Sequence, residues 1–104
     1  MQVIIEDRFL GEVASFGKVH GKSPYPHEVL IAFKKRLFQI KQANNTVDLR
    51  SNKSLHFEKL KEKKYEGKYS IRLNIAYRLI FRIENNQSTR LEIICIEEIN
   101  NHYS

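Results

Sequence analysis

The stretch Tyr69-Ser70-Ile71-Arg72-Leu73-Asn74-Ile75-Ala76-Tyr77-Arg78-Leu79-Ile80-Phe81-Arg82-Ile83 decides how the chain folds. Before Asn74-Ile75-Ala76, the residues Tyr69, Ile71 and Leu73 alternate with Ser70 and Arg72. After it, Tyr77, Leu79, Phe81 and Ile83 alternate with Arg78, Ile80 and Arg82. Alternation of this kind is the mark of a strand with two unlike faces. Closing a hairpin over Asn74-Ile75-Ala76 sets Leu73 opposite Tyr77, Arg72 opposite Arg78 and Ile71 opposite Leu79. This register gathers Ile71, Leu73, Leu79 and Phe81 on one buried face, and a slip by one residue would turn them all to water. It also sets two arginines side by side on the other face, where like charges directly opposite are unfavourable unless solvent or an anion separates them. Two readings stay open: a pair of solvated arginines, or a clamp for a phosphate, since each guanidinium donates in a fork.

Downstream, Leu91–Ile96 is more uniformly apolar and reads as a further strand, central or covered on both sides. Upstream, Leu55, Phe57 and Leu60 suggest a strand that frays into the charged run Lys61–Lys64. The first half of the chain has a helical period instead. Met1–Ile5 reads as a short strand, and Asp7 as the N-cap of a helix reaching Phe16, with Phe9, Leu10, Val13 and Phe16 on one side. The connection Gly17–Pro26 contains Gly21, Pro24 and Pro26. A second helix runs from His27 to Ala43, with Val29, Leu30, Phe33, Leu37 and Ile40 recurring at helical spacing, and Asn44-Asn45 ends it. Early helices and a late meander of strands indicate an α+β fold, with two N-terminal helices packed on one face of a small, mainly antiparallel sheet. With 104 residues, 41% of them hydrophobic, the chain suits one domain spanning 1–104.

Charge is unevenly distributed. The net charge is +6, and residues 50–82 hold ten basic and three acidic side chains, against one basic and four acidic in residues 83–104. A polyanion is the natural partner for the middle third, although a solvated basic surface accounts for the charge equally well. Glu6, Asp7 and Glu12 break the first stretch before an apolar run forms, and no segment reaches the roughly 20 apolar residues of a membrane span. The expected location is the cytoplasm, where Cys95, the single cysteine, stays a thiol and sequons such as Asn52-Lys53-Ser54 carry no weight. Gly17-Lys18-Val19-His20-Gly21-Lys22-Ser23 has three residues between its glycines where a P-loop needs four, and it follows a helix, so it is set aside. His20, His27 and His56 lack ligand-like spacing to one another or to Cys95, so each reads as a loop or surface histidine and no metal or cofactor is expected.

Phe57-Glu58-Lys59-Leu60-Lys61, Glu66-Gly67-Lys68-Tyr69-Ser70-Ile71-Arg72-Leu73-Asn74 and Tyr77-Arg78-Leu79-Ile80-Phe81, in that order and spacing, resemble the core of RelE/ParE-superfamily toxins of type II toxin–antitoxin systems, in the HigB-like and YoeB-like branches. Asn101-His102-Tyr103 is similar to the His-Tyr end of the YoeB-like ribonucleases. The resemblance covers about residues 55–103. It implies a concave basic site and, in the ribonuclease members, metal-free RNA transesterification, in which the 2′-hydroxyl attacks its own phosphate. By the same resemblance Glu58 is the base, Arg72 and Arg78 bind the phosphate, His102 is the acid, and Tyr103 positions RNA. Lys59, Lys61, Lys68 and Arg82 then contact RNA. Glu58 has a plain alternative as a neutraliser of nearby lysines, Tyr103 as packing for the tail, and His102 as a terminal residue without a role.

The tail departs from the YoeB-like pattern because Glu97-Glu98-Ile99-Asn100-Asn101 intervenes. If the last strand ends at Ile96, a turn is needed to bring His102 back over the site. The implied function is a toxin that cuts mRNA on the ribosome, with a cognate antitoxin as partner and no membrane. Two alternatives are a ParE-like DNA gyrase inhibitor without nuclease activity and a degenerate, non-toxic antitoxin-binding member.

Overall fold

The structure, a computed structural model, describes residues 1–17 and 21–101. Strand β1 (Gln2–Ile5) leads into α1 (Arg8–Phe16), α2 (His27–Gln42) and α3 (Thr46–Ser51), then β2 (Glu58–Lys59), β3 (Tyr69–Arg72), β4 (Tyr77–Asn85) and β5 (Glu92–Asn101). The five strands form one sheet in the order β1-β5-β4-β3-β2. All neighbours are antiparallel except β1, which runs parallel to β5. The fold is therefore α+β with a mostly antiparallel sheet, and among the described residues it has three helices where the sequence suggested two.

Local chemistry accounts for the helix ends. Asp7 accepts a hydrogen bond from the Leu10 backbone N–H at 2.9 Å and starts α1. Gly17, at φ +76°, ends it by returning its N–H to the Val13 carbonyl. Asp7→Ala is expected to cost about 1 kcal/mol of stability, the usual worth of such a cap, and denaturant titration measures it. The third helix was missed because Asn44-Asn45 reads as a stop. Asn45 is also a start: its side chain accepts from the Asp48 N–H, and Glu92 of β5 holds both the backbone N–H and the hydroxyl of Thr46 at 2.8 Å.

Leu10 and Val13 of α1 join Phe33 and Ile40 of α2 in one buried cluster with Ile71, Leu79, Phe81, Ile94 and Ile96. The hairpin has the expected register, with Ile71 opposite Leu79 and Arg72 opposite Arg78. Asn74 fixes its turn by accepting from the backbone N–H groups of Ala76 and Tyr77.

Two strands differ from expectation. Leu55 lies in a 3₁₀ turn (Lys53–Leu55), and His56 ends it at φ +47°, so β2 shrinks to Glu58–Lys59. Conversely, β5 continues past Ile96 to Asn101. A bulge makes this possible: Ile80 pairs with Glu98 but Phe81 with Ile96, so Glu97 is an extra residue. The bulge shifts the alternation by one, which returns Ile99 to the core beside Ile94 and Ile96 and turns Glu98 and Asn100 to the opposite face. No turn follows Ile96. The strand itself runs along β4 until Asn101 lies opposite Tyr77.

Candidate functional site

The face of the sheet away from the main core carries the polar half of the hairpin pattern. Arg72 of β3, Arg78 of β4 and Asn100 of β5 are successive cross-strand partners and so form a row. His56 extends this row, with its Nε2 3.3 Å from Arg72 Nη1. One step along the strands, Glu58 pairs with Ser70 and Ser70 with Ile80. His56, Glu58, Ser70, Arg72, Tyr77 and Arg78, with the hairpin turn at Asn74-Ile75, line a cleft of about 90 Å³.

The two arginines are not equivalent. Arg72 is half-buried. Arg78 is 7% exposed, because the segment from Leu60 to Tyr65 folds over it and packs Leu60 and Tyr65 against Ile80 as a second small core. Its guanidinium lies 5.5 Å from the Tyr65 ring centre, 3.2 Å from Glu62 and 4.0 Å from Glu58. A buried cation needs such partners, since desolvation alone would disfavour it strongly. Hydrogen bonds from its own backbone N–H and then from Arg78 hold the Glu62 carboxyl below the usual carboxylate range. Tyr65 donates to Glu98 at 3.0 Å and accepts from Asn100 at 3.1 Å, which fixes the ring beneath the guanidinium. Among the described residues, the Nε–H of Arg78 is buried without an acceptor. Such a group is costly, about 1–3 kcal/mol, and buried donors of this kind are uncommon in native proteins.

A brace on the helical side sets the width of the cleft. Arg36 of α2 donates from Nε to the Arg72 carbonyl at 2.9 Å and from Nη2 to the Ser54 carbonyl at 3.2 Å. It thereby ties β3 to the turn that delivers His56. Burial lowers the pKa of Arg36, yet a guanidinium remains charged.

The structure thus brings together Glu58, Arg72 and Arg78 of the residues expected from sequence. Lys68 and Arg82 lie in a separate network: Lys68 pairs with Glu97, and Arg82 is shared among Glu6, Glu84 and Glu97. Those hydrogen bonds, Glu6 first, push the Arg82 pKa above its ordinary value. Lys59 and Lys61 are exposed, and Lys59 alternates with Glu58, so it leaves β2 on the other side. His102 and Tyr103 lie outside the described residues.

Sequence reasoning missed His56, Arg36, Glu62 and Tyr65. For His56 the two-residue period gives no signal, because the left-handed residue that ends the 3₁₀ turn lies outside β2. Nor does a signal mark Arg36, whose role depends on where α2 crosses the sheet. Among the described residues, no three His, Cys, Asp or Glu side chains group as metal ligands. No described helix is long and apolar enough to cross a membrane.

Residues 5–93 match a family described as the RelE-like toxin of the type II toxin–antitoxin system HigB. The chain belongs to this HigB-like toxin family. It is 38% identical over 86 residues to an uncharacterised protein of Haemophilus influenzae, covering 82% of this chain and 81% of the relative. A YoeB/ParE toxin structure from Agrobacterium tumefaciens superposes with a TM-score of 0.54 over 99% of this chain and 100% of that one. At 13% identity it speaks for the RelE/ParE fold alone.

Proposed function

We propose that this member of the HigB-like family is the toxin of a type II toxin–antitoxin pair and acts as a ribosome-dependent, metal-independent mRNA endoribonuclease. The observation that carries the reading is the cleft where Arg72 and Arg78 stand opposite each other with Glu58 beside them. RNA transesterification requires a proton acceptor for the 2′-hydroxyl, positive charge facing the phosphorane, and a proton donor for the 5′-oxygen. Glu58, half-exposed beside Arg78, is the acceptor. Arg72 and Arg78 bind the phosphate, and Arg78 acts with added strength because it works away from bulk water. By resemblance His102 serves as the donor and Tyr103 positions RNA. Lys59 and Lys61 contact flanking phosphates, with Lys68 and Arg82 as more distant contributors.

The natural partner of such a surface is a cognate antitoxin whose acidic segment covers the arginine cleft. Purified protein is expected to cut mRNA held in programmed ribosomes and to leave naked RNA largely intact. Affinity for the programmed ribosome should fall steeply as salt rises, because phosphate contacts release counterions. Gel analysis of both substrates, with ribosome binding measured across a salt series, tests this. Intact mRNA together with accumulated cleaved DNA–gyrase complexes would instead favour the gyrase inhibitor. Inactivity toward both, with antitoxin binding retained, would favour the degenerate scaffold.

A further inference from the structure

His56 is held in the cleft by two independent features. It adopts φ +47°, a conformation in which non-glycine residues are uncommon and Asn, Asp and His are enriched. Arg36 meanwhile ties the Ser54 carbonyl, two residues earlier, to the Arg72 carbonyl, which sets the turn that carries His56 beside the Arg72 guanidinium. Arginine has donors only, so at 3.3 Å the His56 Nε2 is the acceptor, and its lone pair points at the group that would bind phosphate. The charged groups around this imidazole are Arg72 of β3, Glu58 of β2 and Arg78 of β4, with Arg36 of α2 behind. A phosphate entering between the arginines takes the Arg72 donors for itself. That frees Nε2 to face the bound phosphate.

We propose that His56 is a catalytic residue of this cleft and delivers the proton to the departing 5′-oxygen. The proposal rests on the endoribonuclease reading above and changes one part of it, the proton donor, which the resemblance assigned to His102. In the step, the 2′-hydroxyl gives its proton to the Glu58 carboxylate as the 2′-oxygen bonds to phosphorus. The bond from phosphorus to the 5′-oxygen breaks, and that oxygen takes the proton from His56 Nε2. The products are a 2′,3′-cyclic phosphate and a 5′-hydroxyl. Glu58 is left protonated and His56 neutral, and the proton returns through solvent. Among the charged groups of the cleft His56 alone can give this proton: Glu58 takes one and the arginines do not deprotonate.

The test uses His56→Asn, because asparagine tolerates the left-handed backbone and removes the imidazole. Single-turnover cleavage in programmed ribosomes should slow by roughly 10²–10⁴-fold, the usual worth of such a group. Ribosome binding should remain near wild type. An mRNA with sulfur in place of the bridging 5′-oxygen at the cut site has a leaving group that needs no proton. On it, His56→Asn should recover most of its rate, whereas Glu58→Gln should not. His56→Gln, which also lacks an acid, should behave like His56→Asn. Near wild-type cleavage by both variants, a defect unrelieved by sulfur, or relief confined to His102→Ala would each overturn the role of His56. Failure of the wild-type protein to cut either mRNA would overturn the endoribonuclease reading together with it.

Discussion

Arg78→Ala is expected to lower kcat/KM for mRNA cleavage on the ribosome by roughly 10³–10⁵-fold, the range for an arginine facing a phosphoryl-transfer transition state. The size of the effect follows from where the guanidinium sits. It is buried beneath the Leu60–Tyr65 segment, stacked near Tyr65 and held by Glu62, so its charge acts through little water and is already oriented. A phosphate ligand serves ground state and transition state together, so binding of the programmed ribosome should weaken as well. Loss of the side chain should not unfold the protein. Glu58 and Glu62 are about half exposed and can turn to solvent when their cation is gone. Arg78→Lys keeps the charge but not the fork and should fall between wild type and alanine. Single-turnover cleavage, with binding and circular dichroism measured separately, checks all three statements. Cleavage by Arg78→Ala within a few-fold of wild type would remove the arginine pair from the chemistry.

The largest effect on stability is expected at Phe81. Its ring is fully buried, 5.8 Å from Phe57 and 6.2 Å from Tyr69, and it belongs to the cluster that joins the sheet to α1 and α2. Phe81→Ala removes these contacts and leaves a cavity that backbone on both sides cannot close. The loss should be about 3–5 kcal/mol. Against the roughly 5–15 kcal/mol typical of a small domain, that is a large share. Urea titration should show a lower midpoint with an unchanged slope, since the surface exposed on unfolding is nearly the same. A loss below about 1 kcal/mol would mean that the site collapses around the smaller side chain.

What could be read in advance was what local pattern controls. The alternation through Tyr69–Ile83 carried the hairpin register, and with it the pairing of Arg72 and Arg78. Asp7 carried the start of α1. The failures share a different cause: each needed a partner far along the chain. Helix α3 begins at Asn45, and Glu92 of β5 completes its cap. The reach of β5 to Asn101 was hidden because Glu97 and Glu98 look like the end of an apolar strand. A bulge instead turns both toward Lys68, Arg82 and Tyr65. The burial of Arg78 was hidden because nothing in a two-residue period says that Leu60 and Tyr65 fold over it. His56 was dismissed for lacking metal-ligand spacing, yet its neighbour in space is an arginine contributed by another strand. Site residues were thus legible where they lay on the hairpin, and illegible where the 3₁₀ turn and α2 deliver them.

If the arginine cleft cuts mRNA, mapping the ends of cellular mRNA after brief induction will reveal the cuts. The wild-type protein is expected to create new 5′ ends inside translated regions, each bearing a 5′-hydroxyl, with matching 2′,3′-cyclic phosphates upstream. Arg78→Ala, shown to be folded and able to bind the antitoxin, should create almost none. Intact mRNA in cells whose growth the wild-type protein has stopped would contradict the claim, as would equal cutting by both proteins.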